Sequence, residues 1–87
     1  MLREVIAFDG TPLQVDTSGE ACEKFGFQPD QRVLDPYNNE ATVVGVAPLF
    51  ENAGCMKKGT DVLFISLDGA DGKVCFYPDP AKNLRKL

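Results

Sequence analysis

The residues whose types could do chemistry are three cysteines, Cys22, Cys55 and Cys75, and two closely spaced carboxylate pairs, Glu20 with Glu23 and Asp68 with Asp71. Cys55 stands apart because Met56-Lys57-Lys58 follows it, and ammonium groups nearby favour a thiolate. Cys22 and Cys75 sit among apolar residues and read as small buried hydrophobes. A thiol or hydroxyl nucleophile also needs a general base, and the chain has no histidine. That absence excludes a Ser-His-Asp triad, a Cys-His pair and any histidine-ligated metal. Asp68 and Asp71 lie among Gly69 and Gly72, which hints at a calcium loop. An EF-hand alternates its acids and closes on a glutamate, whereas here the acids are three apart and the closing position holds Asp79. No Gly-Lys-Ser/Thr follows Gly69-Ala70-Asp71-Gly72, so it is not a phosphate loop. The carboxylate pairs therefore read as solvated faces, and a chain that is not an enzyme, with no catalytic residue, metal or cofactor, is expected.

Aromatic residues point elsewhere. Phe8, Phe25, Phe27, Phe64 and Phe76 are expected to build the core. Neighbours along a strand face opposite ways, so an inward Phe76 turns Tyr77 outward. Tyr37 falls in a polar turn and Phe50 in a long loop. Tyr37, Phe50 and Tyr77 are thus the candidate binding residues, since exposed aromatics commonly anchor protein contacts.

The elements that must position them are short strands. Glu4–Phe8 and Thr11–Val15 flank Asp9-Gly10, a strong hairpin pattern. Thr17 and Glu20 have the spacing of a capping box, Cys22 and Phe25 share a helical face, and Gly26 suits a helix terminus. One short helix over residues 18–25 follows. Further strands are read at Gln31–Asp35, Ala41–Ala47, Asp61–Leu67 and Lys73–Tyr77. Gly45 inside a strand marks a bulge or a close crossing. Gly72 is expected at positive φ in the turn before the last strand. The loop over residues 48–60 is long for so small a domain, and such loops are often functional or mobile. Pro78 and Pro80 end the sheet.

The chain of 87 residues (9.5 kDa) is 44% apolar and carries a net charge of -4, which fits one small folded domain over residues 1–87. A chain of this size buries only about 60–65% of the surface that it exposes when unfolded. A water-excluding catalytic pocket would consume much of such a core, and surface recognition would not. Residues 1–54 carry nine acids and three bases, whereas residues 55–87 carry four acids and six bases. An odd number of cysteines and no secretory leader pattern fit a reducing, intracellular and cytoplasmic setting. No apolar run is long enough for a membrane helix.

Arg32-Val33-Leu34-Asp35, the turn Tyr37-Asn38-Asn39, the segment Glu40-Ala41-Thr42-Val43-Val44-Gly45-Val46, and then Leu63-Phe64-Ile65 with Asp68-Gly69 and Gly72 occur in that order. This order resembles small SH3-like barrels of the Tudor, KOW and MIB/HERC kind. It is also similar to a repeated module of large multidomain proteins of unicellular eukaryotes. The resemblance covers residues 30–77 and implies a non-catalytic binding barrel. Residues 3–25 then form an added hairpin and helix, and 78–87 a C-terminal tail. Aromatic-cage positions do not match here, so no functional residue is carried over.

The expected fold is mainly β: a small SH3-like barrel or strongly curled antiparallel sheet with one short N-terminal helix. The expected function is a protein-interaction module that binds a peptide segment or partner domain. The alternative is a nucleic-acid-binding KOW/Tudor-like module using Lys57, Lys58, Lys73, Lys82, Arg85 and Lys86. The acidic balance disfavours it, because binding to phosphates would need a basic face. On the thiol argument, Cys55 should alkylate faster than Cys22 and Cys75. Time-resolved labelling read by mass spectrometry checks this, and equal rates would contradict it.

Overall fold

A computed structural model describes residues Met1–Leu87. Seven strands and two short helices follow in the order β1 (Leu2–Ala7), β2 (Pro12–Asp16), α1 (Gly19–Glu23), β3 (Arg32–Leu34), β4 (Glu40–Pro48), β5 (Asp61–Leu67), β6 (Lys73–Phe76), α2 (Pro80–Asn83) and β7 (Arg85–Lys86). Strands β1, β2, β4, β5 and β6 close into a five-strand barrel, consistent with a small SH3-like one. Strands β3 and β7 extend the sheet beyond β4. No helix is long and apolar enough to cross a membrane.

The chain builds two cores, one on each side of the β4–β5 wall. Val5, Val15, Val44, Ala47, Val62, Phe64 and Val74 come from all five barrel strands and fill its interior, with Leu49 plugging one end. Val33, Ala41, Val43, Leu63 and Ile65 face the other way, where Cys22, Phe27 and Leu84 cover them. Strand β5 therefore alternates between two buried faces, with Val62 and Phe64 inside the barrel and Leu63 and Ile65 outside it. Each such side chain stabilises the fold by about 1.5–3 kcal/mol when fully buried. Alternation on β5 shows no polar face for this reason.

Barrel closure depends on Gly45. Between Val43 and Gly45 the pairing of β4 with β5 slips by one residue, a bulge that resets the alternation, so that Val44 and Ala47 both enter the barrel while Val43 and Val46 face the outer core. Immediately after it, β2 crosses β4 and pairs Asp16 with Val46. A methyl group at position 45 would stand 2.5 Å from the Asp16 carbonyl oxygen and 3.1 Å from the Val15 side chain. Both readings of this glycine, bulge and close crossing, hold at once. Gly72 has the expected positive φ, at 78°.

Several expectations are corrected. The barrel is not confined to residues 30–77, because the first hairpin supplies two of its five walls. The closing pair β1–β6 is parallel, as it must be when five strands of alternating direction form a ring. The helix spans only Gly19–Glu23, and its N-cap is Ser18, whose Oγ accepts from Ala21 N–H at 3.2 Å. Thr17 lies one residue too early for that role, since the helix begins at Gly19, and its N–H and hydroxyl both donate to the Met1 carbonyl. At the other end Gly26 N–H donates to Glu23 O and Phe27 N–H to Cys22 O, with Gly26 at φ 84°. This pair of bonds is a Schellman closure.

Residues 78–87 are not a loose tail. Buried Pro80 opens α2, Leu84 enters the outer core, and β7 pairs with β3. The loop over residues 49–60 is tied down as well. Leu49 and Thr60 are joined by a backbone bond, Ala53 bridges Met56, and both pack on the barrel interior. Phe8 is not in the core: it is 51% exposed, because it is itself a turn residue, with Gly10 N–H donating to Ala7 O across Phe8 and Asp9.

Gly45→Ala should lower stability by about 1–3 kcal/mol, the usual cost of overpacking. This loss overrides the stabilisation of up to about 1 kcal/mol that glycine replacement brings through the unfolded chain. Urea unfolding measures it, and a variant as stable as the parent would show that β2 does not lie against β4.

Candidate functional site

Two places on the molecule gather polar or aromatic groups. The first is the β3–β4 turn, organised by Asp35. This carboxylate is only 2% exposed, yet it is fully satisfied. Its Oδ1 accepts from Tyr37 N–H at 2.9 Å and Asn39 N–H at 2.8 Å. Its Oδ2 accepts from Asn39 Nδ2 at 3.2 Å and the Tyr77 hydroxyl at 3.0 Å. Burial by itself would raise the carboxyl pKa, but the hydrogen bonds from Asn39, Tyr77 and Tyr37 outweigh it and hold the pKa below its ordinary value. Burial, and then the Asp35 carboxylate, push the Tyr77 hydroxyl up to about 12. Asn38 takes a φ of 65°, and its Oδ1 accepts from Arg85 Nη2 at 2.6 Å, which fastens the turn to β7.

Tyr77 does face away from Phe76, as alternation requires. That face is covered, however, so Tyr77 is half-buried on the outer core and serves the turn. Tyr37 projects from the same turn and is 78% exposed. Asp35 thus brings Tyr37 and Tyr77 together, one by its backbone and one by its hydroxyl. Phe50 does not join them.

The second place is an apolar cleft of about 230 Å³ in which Phe50 does take part. Phe8, Phe50 and Phe76 line it, with Ala7, Val74 and Phe64 at its floor and Asp9 as its only polar member. Phe76 stands edge-on to Phe64, ring centroids 5.6 Å apart. The cleft forms where the barrel seam gives out. Strand β1 pairs with β6 only through Ile6↔Lys73 and Ala7↔Val74, and then turns off at Asp9-Gly10. Strand β6 runs on to Phe76 without it. Phe8 and Phe76 were assigned to the core from sequence, and their place at this cleft was missed. Its place within the turn Ala7–Gly10 is what leaves Phe8 outside the barrel.

The residues that carry chemistry by type are dispersed. Asp68 is occupied by Arg32, whose Nη1 and Nη2 reach its two oxygens at 3.0 and 2.6 Å, while Thr42 Oγ1 takes Nη1 at 2.6 Å. Arg32 and Asp68 thus join β3 to the end of β5. That hydrogen bond keeps the Arg32 pKa raised and the Asp68 pKa lowered. All three thiols are free, with Cys22 buried, Cys55 exposed and Cys75 half-buried. Burial raises both Cys22 and Cys75, the latter to about 11. Of the six basic residues of the C-terminal half, Arg85 is engaged by Asn38 and Lys86 lies 5.4 Å above the Phe27 ring.

Searches of protein-family models, curated proteins and solved structures found no match to this chain.

The Asp35 network sets a pH dependence. Its folded pKa is lowered, so the stability it confers is complete above the ordinary carboxylate range and is lost as pH falls through the folded value. Asp35→Asn should destabilise the protein by about 1–3 kcal/mol at neutral pH, since bonds to a buried charge are lost. The gap to the parent should narrow below about pH 4. Urea unfolding across pH measures it, and a gap independent of pH would show that the carboxylate charge does not support the turn.

Proposed function

We propose that this chain is a non-catalytic protein-interaction module that docks a peptide segment of a partner on its barrel surface. The cleft between Phe8, Phe50 and Phe76 carries this reading. Three aromatic side chains meet there at the surface, one of them more than half exposed. Aromatic anchors in a small desolvated pocket dominate many protein contacts. At about 230 Å³ the cleft is smaller than the roughly 300 Å³ at which drug-sized ligand pockets begin. It suits one or two side chains of a peptide better than a cofactor.

Among the residues proposed from sequence, Phe50 belongs to this contact. Tyr37, on its fastened turn, is a separate rigid anchor, and Tyr77 acts by holding that turn. The free thiols fit a reducing intracellular, cytoplasmic setting. Nucleic acid is the weaker reading, because two of its six candidate bases are engaged within the fold and the net charge is -4.

Random short peptides displayed on phage and selected on the folded protein test this function. A selected peptide, synthesised and titrated, should lose about tenfold or more in affinity on Phe8→Ser and on Phe50→Ala. It should be indifferent to Tyr37→Ala. A peptide affected by Tyr37→Ala alone would move the site to the Asp35 turn, and failure to select any peptide would count against the function itself.

A further inference from the structure

The cleft lies along a free backbone edge. Strand β6 pairs with β5 on one side as far as Phe64↔Phe76. On its other side the partner ends at Val74. Past Val74 that side of β6 has no strand beside it, and since backbone groups alternate between the two edges of a strand, every second residue from Cys75 on turns its N–H and C=O to the free side. Pro78, which lacks an N–H, ends the usable edge. Three residues span about 10 Å at the rise of a strand. The apolar cleft opens beside this stretch, with Phe8 and Phe50 across from Phe76.

The one charged residue that lines the opening is acidic. Asp9 lines it, and exposed Glu51 follows Phe50. Lys73, the base on β6, sits at the far end of the strand opposite Ile6. Residues 1–54, which supply both acids, carry nine acids against three bases.

We infer that the occupant of the cleft is a short extended segment of a partner protein that adds as a strand to the free edge of β6 over Cys75–Tyr77, seats one aromatic or branched side chain against Phe8, Phe50 and Phe76, and carries lysine or arginine beside it. The inference rests on the peptide-docking reading above and adds to it the conformation and charge of the ligand. Main-chain hydrogen bonds to the edge supply affinity in such an arrangement, and the pocket selects the side chain. A basic flank meets Asp9 and Glu51 and speeds the encounter. A second copy of this chain is a poorer occupant. Three residues of edge and a cleft of this size fall far short of the roughly 1,200 Å² that stable interfaces bury.

The experiment uses a peptide selected on the intact protein that loses affinity on Phe8→Ser. Each of its backbone nitrogens is methylated in turn. Methylation at one or two alternate positions within a three- or four-residue window should weaken binding about tenfold, and elsewhere leave it unchanged. Amide exchange should slow in the complex at those residues of Cys75–Tyr77 whose N–H faces the free side, and stay unchanged at those bonded to β5. Glu51→Gln, on an exposed side chain, should weaken binding several-fold at low salt and by less at high salt. A Phe8-dependent peptide that tolerates methylation everywhere and leaves these amides unprotected would overturn the strand. One that lacks basic residues and ignores Glu51→Gln would overturn the charge. Both results would leave the docking function standing. Binding that survives Phe8→Ser and Phe50→Ala would remove the function instead. A complex with two copies of the protein and no peptide requirement would assign the edge to self-association and overturn the inference.

Discussion

The barrel closes because β4 carries no side chain at the point where β2 crosses it. Five short strands must turn through a full circle, and the tightest part of that curve is the approach of Asp16 to Gly45. A bulge at Val44 bends β4 there and resets its alternation, so that Val44 and Ala47 both point into the barrel. Everything else follows from that bend. The interior fills with side chains from all five strands, and the outer face of the same wall needs a second cover. The chain provides it with Cys22, Phe27 and Leu84. A domain of this size has little surface to bury, and using both faces of β5 extracts more from the same strand.

An odd number of strands has a consequence at the seam. One pair must be parallel, and parallel pairing is slightly weaker per residue than antiparallel. Here the parallel pair has only two rungs, because β1 must leave for its hairpin turn. The aromatic cleft is thus a product of closure. The strands part before the apolar residues beyond them are covered, which leaves Phe8 exposed and Phe76 half-covered. Gly45 makes the ring close on one side, and Asp9-Gly10 leaves it ajar on the other.

Asp35 stabilises a different part of the molecule by a different means. A buried carboxylate is costly unless its lone pairs are met, and four donors meet them. Two of those donors are backbone amides of the turn, and one is a hydroxyl forty-two residues away. The turn that presents Tyr37 is therefore held by the last part of the barrel, and Arg85 on β7 holds it again through Asn38.

Local chemistry in the sequence determined the hairpin at Asp9-Gly10, the run of β5, the special place of Gly45 and the positive φ of Gly72, because each depends on a few neighbouring residues. It also carried the mainly β architecture, since short strands with turn residues between them leave few alternatives. Three things were decided only by tertiary structure. Thr17 lost the helix cap to Ser18 because it is held beside Met1 and the helix starts only at Gly19. Phe8 and Tyr77 changed places with expectation, Phe8 left outside by its own place in the hairpin turn and Tyr77 drawn in by a second core that no period-two pattern announces. Residues 80–86 docked because Leu84 found that same core and β3 offered an edge. Of the aromatic residues that line the cleft, Phe50 is singled out by the sequence and Phe8 and Phe76 are not. Sequence tells which residues are apolar, whereas which of them stay uncovered depends on where the barrel seam ends.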